Sequence, residues 1–231
     1  MRITTVGLDA DDTLWHNETI FRLTQDRFRA LMAEVAAPEV LDARLATVER
    51  RNLSLYGYGV KGFTLSLIET AMELMGGEPP GSVIADILAA GREMLAHPVE
   101  PLPGVDQALA ELSEDYRLVL ITKGDLLHQE QKLAASGLGE LFAAVEIVSE
   151  KDAATYERVF ARHGAGAAKA AMCGNSLRSD ILPALEAGAH AAYIPYPLTW
   201  AHEMAEAPRG HARFTELASI SDLPGWVKGL G

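Results

Sequence analysis

From residue 101 onward the sequence alternates between two periodicities. Short apolar runs stand at 117–122 (RLVLIT), 145–149 (VEIVS), 170–174 (AAMCG) and 191–195 (AAYIP). Stretches of helical periodicity precede or separate them at 104–114, 126–136, 152–163 and 178–188. This order predicts βαβ units and one parallel sheet covered by helices on both faces. A β-branched, apolar run at 3–9 (ITTVGLD) predicts the first strand of the same sheet. Between them, 16–100 carries no strand signal. Apolar residues recur at helical spacing after residue 17 (Phe21, Phe28, Leu31, Val35), after Pro38 (Leu41, Leu45, Val48), from Phe63 (Leu67, Ala71, Leu74) and from Ser82, a candidate N-cap (Ile84, Ile87, Leu88, Leu95). The expected architecture is therefore α/β, a Rossmann-like parallel sheet formed by 1–15 and 101–231, with an all-helical insert over 16–100.

Composition narrows the partners. The formal net charge of −12 over 231 residues disfavours nucleic acid and anionic membrane surfaces, which need a positive footprint. No segment has the apolar length of a membrane span or a signal peptide, so the protein is expected in the cytoplasm. The single cysteine, Cys173, excludes an internal disulfide and a thiolate metal cluster. The chain can be a monomer or a homodimer on this reading.

Ligands of doubly wound sheets bind at the carboxyl ends of the strands. The expected strand ends deliver Asp9, Asp11, Asp12 and Thr13; then Thr122, Lys123 and Gly124; then Glu150, Lys151 and Asp152; then Asn175, Ser176 and Asp180. Like charges as close as Asp9, Asp11 and Asp12 repel, and a divalent cation would relieve them. Oxygen donors of this kind suit Mg²⁺ with a substrate phosphate, and lysine and threonine can hold phosphoryl oxygens. Lys151 at a helix start also needs a nearby anion, because that end of a helix disfavours cations.

These residues resemble the haloacid dehalogenase (HAD) superfamily in its phosphatase branch. Asp9-Ala10-Asp11-Asp12-Thr13 resembles the first motif (DxDx[TV]), Thr122 the second and Lys151 the third. Gly174-Asn175-Ser176-Leu177-Arg178-Ser179-Asp180 resembles the fourth (GDxxxxD), with Asn175 where the family usually has Asp. A helical insert after the first motif is similar to the family's alpha-helical cap. The resemblance implies a Mg²⁺-dependent phosphomonoester hydrolase acting on a small phosphorylated metabolite. Asp9 would be the nucleophile and Asp11 the general acid and base. Asp9, the Asp11 carbonyl, Asn175 and Asp180 would hold the metal, and Thr122, Lys123 and Lys151 the phosphate. A neutral Asn175 should lower metal affinity or shift the coordination towards Asp180.

Other features weigh less. Gly57-Tyr58-Gly59-Val60-Lys61-Gly62 matches a dinucleotide fingerprint but follows a helical pattern, so it is read as an inter-helix turn. In the family a loop of the cap selects the substrate, which makes Tyr56, Tyr58 and Lys61 candidates for that role. Asp12 is read as a turn or capping residue, and Arg178, His202 and Glu203 as surface, with 201–212 an exposed loop. A haloacid dehalogenase shares the fold but needs neither a metal nor an acid at position 11. A phosphonate hydrolase would need a cap lysine, for which Lys61 is the candidate. A non-catalytic, phosphate-accepting signalling domain would have about half this length and no insert.

Overall fold

The computed structural model describes residues 2–231. The first strand, β1 (Thr5–Leu8), is buried along its whole length. Four helices follow: α1 (Glu18–Leu31), α2 (Pro38–Tyr56), α3 (Val60–Leu74) and α4 (Gly81–Leu95). The chain then runs through α5 (Val105–Asp115), β2 (Arg117–Lys123), α6 (Leu126–Ser136), β3 (Ala144–Val148), α7 (Ala153–His163), β4 (Ala170–Gly174), α8 (Leu182–Glu186), β5 (His190–Tyr193), β6 (Phe214–Glu216) and α9 (Leu223–Lys228). The strands form one parallel sheet in the order β3-β2-β1-β4-β5-β6. The order reverses on either side of β1, so the carboxyl end of β1 is the topological switch point where such sheets bind ligands.

The sheet is packed on both faces. One face carries Leu8, Leu109, Leu112, Leu118 and Leu120; the other carries Val119, Ile121, Tyr156, Phe160 and Met172. Residues alternate along β2, so each face receives every second side chain. Gly7 lies where α7 meets the sheet. A Cβ there would stand 3.0 Å from the side chains of Ile121, Met172 and Phe160, so a methyl group would force these tips to give by a few tenths of an ångström.

The molecule divides into two compact units. The sheet unit comprises the N-terminal stretch to Glu18, Val99–Lys123 and Gln129–Gly231. The helical unit comprises Thr19–Pro98 together with Gly124–His128. Its core is built from Phe28, Leu41, Leu45, Phe63, Leu67 and Ile87, and burying each such side chain contributes about 1.5–3 kcal/mol. Five residues beyond the expected insert join it because Lys61 Nζ binds both carboxylate oxygens of Asp125 at 2.9 Å. The backbone N of Asp125 also approaches within 3.3 Å of where a Cβ on Gly59 would sit.

Several local expectations are corrected. Ser82 is not an N-cap: α4 starts at Gly81 with Pro80 before it, where proline's missing N–H costs no helix bond. Helix α3 starts at Val60, three residues before Phe63. The stretch 178–188 is not one helix. It is a wide π-type turn, Leu177–Ile181, followed by the short α8, with Pro183 in the first turn of α8. Strand β6 and α9 carried no clear sequence signal, because β6 is only three residues long. No helix among the described residues is long and apolar enough to cross a membrane.

Candidate active site

Asp9 follows β1 directly, and its N–H donates to the Cys173 carbonyl of β4 at 2.9 Å. The side chain is buried and fully engaged. Lys151 Nζ stands 2.5 Å from Asp9 Oδ1 and 2.7 Å from Asp180 Oδ1. All three side chains are nearly removed from solvent, at 2% exposure for Lys151, 9% for Asp9 and 1% for Asp180. Two carboxylates buried this closely would repel without a cation between them, so the ammonium supplies the compensation. Burial pushes the Asp180 carboxyl up, and the neighbouring Asp9 charge pushes it further. Burial disfavours a charged Lys151, yet Asp180 and Asp9 outweigh it and hold the ammonium protonated.

Thr13 connects the first and fourth motifs. Its hydroxyl donates to Asp9 Oδ2 at 2.9 Å and accepts the Asn175 N–H at 3.1 Å. The Asn175 amide nitrogen, turned towards these oxygens, donates to Thr13 Oγ1, Asp9 Oδ2 and the Asp11 carbonyl, each at 3.2 Å. Asn175 therefore reaches the oxygens expected of it, and it meets them as a hydrogen-bond donor. Gly174 leaves room behind it: a Cβ there would lie 2.2 Å from Asp180 Oδ2. Only a residue without a side chain admits Asp180 to the cluster.

The Asp11 carboxylate sits in a basket of donors of its own. Lys132 Nζ lies 2.5 Å and Trp15 Nε1 2.7 Å from Asp11 Oδ1, and Gln129 Nε2 donates to Oδ2 at 3.1 Å. Burial raises its pKa, but the Lys132 charge and these donors outweigh it and hold the carboxyl below its ordinary value. Gln129 Nε2 also donates to Thr122 Oγ1 at 2.6 Å, linking the second motif to the first. The Asp12 carboxylate accepts the backbone N–H groups of Asn17 and Glu18 at 2.8–3.0 Å, as its capping role requires. Asp12 itself has φ 61°, and burial pushes its pKa up to about 7.

Lys123 is held rather than free. Its Nζ donates to Ser179 Oγ and to Glu203 Oε1, both at 2.8 Å. Glu203 was expected at the surface, and this is corrected: its side chain is only 16% exposed. The short turn Ala201–Glu203 folds it inwards against the fourth motif. Of the substrate-selecting candidates, Tyr56 donates to Glu69 at 2.9 Å and Lys61 pairs with Asp125, both within the helical unit. Tyr58 lies in the Gly57–Gly59 turn between α2 and α3.

Sequence reasoning missed Gln129, Lys132 and Glu203. Gln129 and Lys132 are three residues apart on α6 and so share a face, a spacing that was readable once a target was known. Glu203 had no such signal.

The four motifs thus meet at the carboxyl ends of β1, β2 and β4 and at the loop leading into α7. A family model for haloacid dehalogenase-like hydrolases matches residues 3–188. The chain belongs to that family. A haloacid dehalogenase-like family hydrolase from Xanthomonas campestris is 43% identical, with a TM-score of 0.88 over 99% of this chain and 91% of that one. YfnB from Bacillus subtilis, a putative HAD-hydrolase described as bound to magnesium, is 16% identical with a TM-score of 0.68, over 98% of this chain and 99% of that one. The L-2-haloacid dehalogenase of Xanthobacter autotrophicus is 20% identical with a TM-score of 0.68, over 99% of this chain and 100% of that one. Among curated proteins none matches this chain.

Proposed function

We infer that this HAD-like hydrolase is a Mg²⁺-dependent phosphomonoester hydrolase for a small phosphorylated metabolite. The observation that carries the reading is the second acid, Asp11, two residues after the buried Asp9 and tied to Thr122 through Gln129. An alkoxide leaving from phosphorus needs a proton, whereas a halide leaves as a stable anion and needs none. A carboxyl maintained beside the nucleophile therefore favours the phosphate ester.

The donor set suits the metal. Asp9, Asp180 and the Asp11 carbonyl are hard oxygen donors, with the Asn175 oxygen available only if its amide turns round, and Mg²⁺ binds through one or two carboxylates and keeps several waters. Gly174 admits Asp180 to this group. Bound there, Mg²⁺ would polarise a phosphoryl oxygen.

The chain's own residues divide the work. An Asp9 oxygen attacks phosphorus, forming the Asp9–phosphorus bond as the bond to the leaving oxygen breaks. Asp11 gives that oxygen its proton. Water then attacks the phosphoaspartate, the Asp9–phosphorus bond breaks, and Asp11 takes the water's proton. The ionised Asp11 of the resting site suits this second half, and the first half requires the carboxyl to leave Lys132 and carry a proton. Lys151 and Thr122 hold phosphoryl oxygens, while Lys123 braces the fourth motif through Ser179.

A second reading, displacement of halide from a haloacid, draws support from Asn175. Its amide donates to Asp9, which a metal ligand at this position would not do, and the Xanthobacter dehalogenase shares the fold. Phosphate release from a panel of phosphomonoesters, measured for the wild type, Asp9→Asn and Asp11→Asn, tests the first reading. Loss of turnover in both variants is expected. Full activity of Asp11→Asn would overturn the role given to Asp11.

A further inference from the structure

Glu203 lies outside the four motifs, yet it is the acceptor on which the fourth motif converges. Its Oε1 accepts from Lys123 Nζ at 2.8 Å. Its Oε2 accepts from Ser176 Oγ at 2.5 Å and also from Ser179 Oγ. The neighbouring His202 carbonyl accepts from Arg178 Nη1 at 2.9 Å. The turn Ala201–Glu203 is thus fastened to three residues of the segment that carries Asp180.

The direction of these bonds can be assigned. Ser176 Oγ already accepts the Ser179 N–H at 2.9 Å, so its own proton goes to Glu203. Ser179 Oγ already accepts from Lys123 at 2.8 Å, so its proton goes to Glu203 as well. The same two serines fix Asp180. The Ser176 N–H donates to Asp180 Oδ2 at 2.9 Å, and the Ser179 carbonyl accepts from the Tyr156 hydroxyl at 2.9 Å. Within the π-type turn the Ser176 carbonyl accepts from both the Asp180 and the Ile181 N–H, at 2.9 and 3.2 Å, so the position of Ser176 sets that of Asp180.

We propose that Glu203 is a positioning residue that holds the Ser176–Ser179 turn so that Asp180 presents its carboxylate to the divalent cation. The inference rests on the Mg²⁺-dependent reading above. Only a carboxylate meets the requirement. Three donors converge on Glu203, serines on one oxygen and an ammonium on the other. Glutamine has the same shape but must turn its NH₂ towards either the lysine or the serines, which sets donor against donor. Glu203→Gln therefore loosens the turn with little change in volume.

The test is binding of Mn²⁺ alone, used as a paramagnetic stand-in for Mg²⁺ and read from the electron paramagnetic resonance signal of the free ion. Loss of a group that orients a metal ligand costs about 10-fold to 100-fold in affinity, and a loss in that range is expected for Glu203→Gln. Ser179→Ala should weaken binding in the same direction and serves if Glu203→Gln does not fold. Thermal unfolding is recorded beside it, because a merely structural Glu203 would lower Tm and leave Mn²⁺ affinity intact. Affinity within twofold of the wild type in a folded variant overturns the inference alone. A wild type that binds no Mn²⁺ overturns the metal-dependent reading and the inference with it.

Discussion

Replacing Lys151 by methionine removes the ammonium between Asp9 and Asp180 while keeping a side chain of similar length. Its Nζ lies 2.5 Å and 2.7 Å from the two carboxylates, with all three groups buried. At an effective dielectric of 20 and a charge separation of about 4 Å, each pair is worth about 4 kcal/mol before desolvation is counted. Removing one partner of a buried ion pair costs about 3–5 kcal/mol net, and that is the loss expected at pH 8. The loss should depend on pH. In the variant, burial and the facing Asp9 charge raise the folded pKa of Asp180 above its unfolded value still further. The folded state then binds the extra proton, so stability is present at low pH and is lost as pH rises through the folded pKa. One proton changes stability by about 1.4 kcal/mol per pH unit, and the wild-type Asp180, already raised to about 7, takes up part of that proton over the same range, so about 1–1.5 kcal/mol of the loss should return between pH 8 and pH 6. Urea unfolding of wild type and variant at both pH values measures it. A loss below about 1 kcal/mol, or one equal at both pH values, would refute the view that Lys151 compensates two buried carboxylates.

Three further outcomes follow from the same geometry. Asn175→Asp sets an acceptor against Asp9 and the Asp11 carbonyl, so without metal it should cost about 1–3 kcal/mol, and Mg²⁺ should raise its Tm more than that of the wild type. Gly174→Ala puts a methyl group 2.2 Å from Asp180 Oδ2, and Mn²⁺ binding should be lost with about 1–3 kcal/mol of stability, measured by titration and unfolding. At Glu203, burial works to raise the pKa, but Lys123 and the two serines pull it down to about 2. A carboxyl with a depressed folded pKa contributes stability above its unfolded pKa and loses it as pH falls through the folded one. About 3 kcal/mol should therefore disappear between roughly pH 4.5 and pH 2, and this acid-side loss should be absent in Glu203→Gln.

Strands β1 to β5 were legible as short apolar runs set against helical periodicity, β6 was too short to show, and the helical insert was legible because 16–100 has no such run. The residues at the ends of β1, β2 and β4 were legible for a different reason. Topology alone sends strand ends to one rim, so Asp9, Asp11, Thr122 and Asn175 could be brought together before any coordinate. What failed depended on contacts between distant segments. Glu203 sits in a polar, Pro/Gly-marked stretch that reads as solvated loop, and only tertiary contact with Ser176, Ser179 and Lys123 draws it inwards. Lys132 and Gln129 do not stand out within the helical stretch 126–136, because nothing local to them shows that Asp11 stands opposite. The break at 181–182 escaped periodicity because a π-type turn followed by a proline-bearing helix keeps roughly helical spacing.

The central claim is that this HAD-like fold hydrolyses phosphate esters with Mg²⁺. The most direct measurement follows an aryl phosphate and a short 2-haloacid side by side, each with Mg²⁺, with EDTA, and with Asp9→Asn. The account predicts phosphate release that requires Mg²⁺ and disappears in Asp9→Asn, with no halide release. Halide release that persists in EDTA and depends on Asp9, without turnover of the phosphate ester, would contradict it.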